Sequence, residues 1–153
     1  MSTTTTAPTK LNLYEGMFIL ESGQYATDPD QSTQEVLSLL EKAGARIIAH
    51  RAWQEGKLAY EVNEHRKGLH YLVYFEMPGD GIDVIRRGTK LSTLILRHLI
   101  LKHTKVLFDA MVQALSTHDA AYHAAVAEEP EVRRKDATDD EDVDLDAVDD
   151  DAE

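Results

Sequence analysis

The chain of 153 residues contains no cysteine, only four prolines and a single tryptophan. Without cysteine it can form no disulfide or iron–sulfur cluster and has no thiol nucleophile. It also lacks a run of about 18 apolar residues, which excludes a membrane-spanning helix. The N-terminal stretch has no basic segment, no apolar segment and no arginine, so no secretory signal or transit peptide is expected. These absences favour a soluble, cytoplasmic protein without membrane association.

Positive charge is scarce: the chain has 16 Lys and Arg residues but 28 Asp and Glu residues, which gives a net charge of −12. Residues 128–153 hold 14 of the acidic residues and three of the basic ones, a net charge of −11, which leaves residues 1–127 at −1. The acidic end has no core-forming pattern and predicts a disordered tail. A nearly neutral body attracts RNA weakly, so RNA affinity is expected to be modest without a basic partner.

The apolar patterning predicts four strands, at residues 13–21, 45–62, 69–77 and 94–103, although a helix also fits the last run. Helices are predicted between Asp28 and Gly44, where Asp28-Pro29 is a typical start, and at residues 80–91. Ser22–Thr27 is expected to be a loop, Gly56 a β-bulge and residues 63–68 a hairpin turn. The order βαββαβ predicts an α+β, ferredoxin-like fold, with a four-stranded antiparallel sheet and two helices on one face.

Four segments are expected along the chain. They are a disordered arm at 1–10, the ferredoxin-like domain at 11–103, a helical extension at 104–127 and the acidic tail at 128–153. The first strand is apolar on both faces, which is typical of a central strand whose second face is covered. The extension has an amphipathic stripe, although the pattern does not decide whether it packs on the core or contacts a neighbour. The stripe consists of Leu107, Ala110, Met111, Ala114, Leu115 and His118.

Residue patterns that carry catalysis or bind metals are not found. The histidine pairs 98/103 and 118/123 are five residues apart, a spacing that suits a metal on neither a helix nor a strand face. No Ser-His-Asp arrangement and no phosphate-binding glycine loop is present. We therefore expect no enzymatic activity, no cofactor, no metal and no small-molecule substrate.

Basic residues gather in the second hairpin, the second helix and the last strand, and such side chains are those that contact phosphates. A solvated surface of mixed charge explains the same count equally well. The third strand lacks the aromatic consensus of an RNA-recognition motif, because Tyr71 and Tyr74 lie on opposite faces. Trp53, as a lone tryptophan, is more typical of a core or interface anchor than of a binding platform.

Several short segments, in order and with consistent spacing over residues 13–103, resemble the bacterial small-subunit ribosomal protein six family. The most specific is Leu58-Ala59-Tyr60, which follows Trp53 and precedes His70-Tyr71. The family often has arginines before this segment and a proline after it, whereas only Lys57 is positive here. The other segments are Leu13-Tyr14-Glu15, Gly44-Ala45-Arg46-Ile47, Phe75-Glu76-Met77-Pro78 and Ile95-Leu96-Arg97.

The resemblance implies a structural constituent of the small ribosomal subunit. Such a protein binds the central domain of small-subunit rRNA together with small-subunit protein eighteen, a partner that would also cover the first strand. Arg97, which matches the last-strand arginine of the family, is the first candidate for a phosphate contact. Further RNA-binding candidates are Lys57, Arg46, Arg86, Arg87 and Lys90. Candidates for the protein interface are Leu13, Met17, Ile19, Trp53 and Tyr60.

An alternative reading from another class is a ferredoxin-like ligand-binding or regulatory domain that dimerises through its open sheet face. It predicts a stable homodimer and a small-molecule pocket, without ribosome association.

Overall fold

The computed structural model describes the backbone of residues 10–127 and the side-chain surroundings of residues 10–118. Within the described chain, residues 10–118 belong to one compact unit. The disordered arm expected at 1–10, apart from Lys10, and the tail expected at 128–153 lie outside the described residues. The elements are β1 Leu11–Leu20, α1 Ser22–Thr27, α2 Pro29–Lys42, β2 Arg46–Val62, β3 His65–Pro78, α3 Gly81–Leu91, β4 Ile95–His103 and α4 Lys105–Ala127.

The strands form one antiparallel sheet in the order β2-β3-β1-β4, which confirms the ferredoxin-like α+β fold. The first strand is central and pairs with β3 and β4. Residues 95–103 are a strand, so the helical alternative for this run is wrong. In register, Ile19 lies opposite His70 on β3 and opposite Arg97 on β4. These three residues therefore lie side by side on one face.

The main core fills the space between the sheet and the helices α2 and α3. Alternate residues of β1, such as Phe18 and Leu20, are fully buried there against Val36 and Leu40 of α2 and Ile85 of α3. Because successive strand residues point to opposite faces, this set defines a helix-covered face. Two helices on one face of the sheet are thus confirmed.

The ends of α2 follow the sequence signals. The Asp28 carboxylate accepts a hydrogen bond of 2.9 Å from the backbone N–H of Gln31, and Pro29 occupies the first turn. After the last turn, Gly44 adopts a φ of +84°, the left-handed conformation that glycine reaches without strain.

The segment Ser22–Thr27 is a short helix, so the expected loop is wrong. Its N-cap is Glu21, whose two carboxylate oxygens accept hydrogen bonds from Gly23 N at 2.8 Å and Gln24 N at 2.6 Å. Glutamate is outside the set Ser, Thr, Asp and Asn that usually marks a helix start. This cap was therefore not visible in the sequence.

The hairpin between β2 and β3 differs from the expected one in two places. Gly56 pairs directly with Gly68, and the register shifts between Lys57 and Val62, so the expected bulge at Gly56 is misplaced. The turn is confined to Asn63 and Glu64, which have φ values of 47° and 67°, because β3 already begins at His65. The shift leaves residues 58–61 outside the ladder.

The second face of the sheet is covered in part by α4. Phe108 and Leu115 are buried against Leu72 and Tyr74 of β3, and Leu13 and Met17 of β1 pack against the same cluster. The first part of the extension, up to Leu115, therefore packs on the core. The expected stripe is partly wrong, because four of its members are exposed, while Phe108 and Val112 belong to the packed face. The exposed members are Leu107, Ala110, Ala114 and His118.

Candidate nucleic-acid interface

The six cations expected to contact RNA lie in three separate places. Arg46 lies at one end of the second sheet face, where it forms an ion pair of 2.6 Å with Glu76 on the neighbouring strand. Its guanidinium remains well exposed, but a carboxylate already compensates its charge. A phosphate would have to compete with that carboxylate for the guanidinium.

Three further candidates lie on α3, in the helix layer. Arg86 bonds to the Asp83 carboxylate at 3.1 Å, and Arg87 donates a long hydrogen bond of 3.4 Å to the Asp83 carbonyl oxygen. Lys90 is exposed in the last turn. Burial lowers the pKa of the nearby His98, and the charge of Arg86 lowers it further. This group is on the opposite side of the sheet from α4.

Lys57 and Arg97 are 40 positions apart in the sequence, but both lie at the end of the sheet near the hairpin. Both line a cavity of about 240 Å³ under the hairpin. The Arg97 guanidinium carbon lies 5.7 Å from the ring centroid of Tyr60, in cation–π geometry. Among residues 10–118, neither cation has a carboxylate within ion-pair distance. Lys90 on α3 also has no such carboxylate, so what distinguishes Lys57 and Arg97 is that they line one cavity together, beside an aromatic ring.

A glycine allows the hairpin to reach this position. At Gly68, a Cβ atom would lie 2.5 Å from Cγ2 of Ile19 and 3.2 Å from the carbonyl oxygen of Leu20. Only a residue without a side chain can therefore lie this close to β1. Leu58 also lies near Gly68, 3.6 Å from the position of such a Cβ, and lines the cavity together with Tyr60.

The outer side of the hairpin carries more cations, each of them with a partner. Arg66 bonds to Glu61 at 3.2 Å, and Lys67 approaches Glu55 at 3.7 Å. These pairs are exposed, so each contributes little to stability. They border a wider depression of about 470 Å³ that Tyr60 also lines. Tyr60 thus stands between two concave surfaces.

The residues expected to contact a protein partner are divided by the fold. Leu13 and Met17 pack against the cluster under α4, so part of their apolar surface is contacted by the same chain. Ile19 lines the cavity next to Arg97, together with Tyr60. Trp53 is half exposed, and the guanidinium of Arg51 lies 5.5 Å from its ring centroid.

Two features of this end of the sheet were missed by sequence reasoning. One is the contact of Tyr60 with Arg97, because nothing in the sequence indicates that the hairpin folds back across the sheet. The other is His70, which lines the cavity and whose buried Nδ1 atom has no hydrogen-bond partner. His70 was noted in the sequence as part of the His70-Tyr71 segment that resembles the family, but that segment indicated no role for its side chain.

The fold and the site define a ferredoxin-like binding domain that presents cations and an aromatic ring at one end of its sheet. The profile described as Ribosomal protein S6 matches residues 13–102, and the chain belongs to this family of the small ribosomal subunit. The family consists of structural proteins, not enzymes. The match ends before α4 begins at Lys105.

Relatives agree with this assignment. Small ribosomal subunit protein bS6 of Rhodopirellula baltica is 38% identical over 93 residues, which cover 61% of this chain and 66% of that protein. The protein of the same name from Trichodesmium erythraeum is 30% identical over 90 residues, or 59% of this chain and 77% of that one. A crystal structure of 30S ribosomal protein S6 from Thermotoga maritima has the same fold, with a TM-score of 0.55 at 19% identity, over 71% of this chain and 99% of that chain.

The described residues provide neither a metal site nor a membrane-spanning helix. No group of three or more histidine, aspartate or glutamate residues is placed to hold a metal ion. No helix there has the length and hydropathy to cross a membrane.

Proposed function

We propose that the protein is a structural constituent of the small ribosomal subunit and acts on ribosomes in the cytoplasm. It binds the central domain of small-subunit rRNA together with small-subunit protein eighteen. Family membership supports the ribosomal role. The observation that carries the RNA-binding part is the pair Lys57 and Arg97, which line one cavity and have no carboxylate within ion-pair distance in the described part of the chain.

The order of the RNA candidates follows from their partners. A cation that already bonds to a carboxylate must exchange that contact for a phosphate, so its net gain on binding is small. Arg97 and Lys57 are therefore the leading candidates for phosphate contacts. Arg46 and Arg86 follow, because each has a carboxylate within 3.1 Å. Arg87 and Lys90 on α3 have no carboxylate within ion-pair distance among residues 10–118 either, and it is the shared cavity and the ring of Tyr60 that place Arg97 and Lys57 ahead of them.

The protein partner would take the apolar surface that α4 leaves open. Leu99 and Leu101 of β4 are 57% and 42% exposed, and both lie on the second face next to β1. Ile19 of β1 lies next to this surface in register with Arg97, whereas the half-exposed Trp53 lies on β2, at the opposite edge of the sheet. A basic partner would add the positive charge that the nearly neutral body lacks.

Binding to an RNA fragment of the central domain, measured at several salt concentrations, tests the RNA site. Arg97→Ala should weaken binding and lower the slope of log affinity against log salt by about 0.7–0.9, as for the loss of one phosphate contact. Lys105→Ala is the matched control, since it removes the same charge at an exposed position paired with Asp109. An Arg97 variant that behaves like the control would contradict the assignment.

A further inference from the structure

We propose that the cavity under Tyr60 binds one unpaired nucleotide of RNA, with the base inside and its phosphate at Lys57 and Arg97. The proposal rests on the proposed function and specifies what the site recognises. The cavity measures about 240 Å³. Small-molecule pockets usually measure about 300–1,000 Å³, so this one suits a single base, not a larger ligand.

The cavity lining has two kinds of surface, as a nucleotide requires. Its apolar lining residues come from β1 and from β2, the first strand of the hairpin. Two cations, Lys57 and Arg97, belong to the same lining. A base is flat and largely apolar on its faces, while its phosphate needs cations a few ångströms away. The apolar lining residues are Ile19, Leu58, Ala59 and Val62.

Tyr60 supplies the stacking surface. Its side chain is 62% exposed although it lines the cavity, so the ring is accessible to a base that enters from solvent. Bases stack on aromatic rings and on arginine guanidinium planes, and here the two groups already lie against each other. A base could therefore insert beside a ring and a guanidinium that are already in place.

His70 adds a polar group in the same cavity. Its Nδ1 atom is buried without a hydrogen-bond partner among residues 10–118, so it is the rest of the ring that lines the cavity. An imidazole can donate or accept a hydrogen bond, and the edges of all bases offer both functions. A polar lining residue of this kind favours a base over a purely apolar side chain of a protein partner.

The choice of an unpaired nucleotide follows from the geometry of RNA. Bases in a duplex are stacked and paired, so they cannot enter a cavity, whereas loops and bulges present bases that can be splayed out. Cations on an open surface would bind both forms through their phosphates. The cavity itself should therefore discriminate single-stranded RNA from duplex.

The test uses the full chain with a single-stranded oligoribonucleotide that carries 2-aminopurine, and with the duplex of the same sequence. Tyr60→Leu removes the ring and keeps an apolar side chain, and it should weaken single-strand binding about tenfold, with a much smaller effect on the duplex. Tyr60→Phe keeps the ring and should bind like the wild type. Quenching of 2-aminopurine on binding should be lost only in the leucine variant.

The outcomes separate this inference from the proposed function. If Tyr60→Leu binds single strands normally while Arg97→Ala does not, RNA contacts the cations and the cavity proposal is wrong. If neither variant changes RNA binding, the RNA site itself is elsewhere. If Tyr60→Leu loses only binding to protein eighteen, the cavity receives a protein side chain and the nucleotide proposal is overturned.

Discussion

At the scale of single residues, the Glu21 carboxylate that caps α1 makes the stability of the fold depend on pH. Hydrogen bonds from Gly23 and Gln24 hold the pKa of its carboxyl below the usual value, and the positive charges of His65 and Lys67 lower it further. These contacts stabilise the charged form of Glu21 in the folded state. The resulting stability is complete above the unfolded pKa of about 4.5 and is lost as the pH falls through the lower folded value.

Glu21→Gln should therefore lower stability at neutral pH and make it less sensitive to acid. The expected change is about 1 kcal/mol, as for the loss of a helix cap. Urea unfolding at several pH values between 3 and 7 measures it. Glu41→Gln, at an exposed position of α2, is the control and should leave the pH profile unchanged. If the free energy of unfolding varied with pH in the same way in the wild type and in the Glu21 variant, protonation of Glu21 would not be coupled to folding, and the prediction would be wrong.

Residue type alone identified the cations but could not rank them. Arg46 and its partner Glu76 are 30 positions apart, and only the pairing of β2 with β3 brings them together. Lys57 and Arg97 depend in the same way on the bend of the hairpin over the sheet. The partner of each charge is set by strand register, which local sequence patterns do not contain.

At the scale of elements, α4 is held to the sheet by a small cluster centred on Phe108, which is 3% exposed and packs edge-on against Tyr74. Phe108→Ala should destabilise the protein by about 3 kcal/mol through the cavity it creates. Leu107→Ala, one position earlier and half exposed, should cost less than about 1 kcal/mol. Chemical denaturation of both variants measures the difference. Equal losses would mean that the sheet-facing side of α4 has been misassigned.

The sequence predicted that the regular elements other than α1 exist, but it predicted less well which side of an element faces the core. In α4, Met111 and Leu115 belong both to the expected stripe and to the packed face. The apolar arc of the helix is widened by Val106, Leu107, Phe108 and Val112. Helical periodicity therefore fits two different choices of the buried side equally well. Packing against the sheet determines which side of α4 is buried, because Phe108 packs on the surface formed by Leu72 and Tyr74.

At the scale of the whole molecule, the proposed ribosomal role predicts where the protein sediments. In a sucrose gradient of a cell lysate, it should migrate with small subunits at low salt. Because phosphate contacts weaken as salt rises, part of it should be released at high salt. Immunoblotting of the fractions measures the distribution. If the bulk of the protein stays at the top of the gradient at low salt, the dimeric binding domain becomes the better explanation.

The position of β1 in the middle of the sheet has a consequence for synthesis. Its Leu13 pairs with His103, so the strand that leaves the ribosome first completes its pairing only after some 90 more residues have been made. Until then one edge of a central, apolar strand stays unpaired, a state prone to aggregation. Contacts of such long sequence separation also slow folding. We therefore expect the nascent chain to remain without its complete four-stranded sheet until β4 has emerged, so that the last strand of the domain determines when the first becomes fully paired.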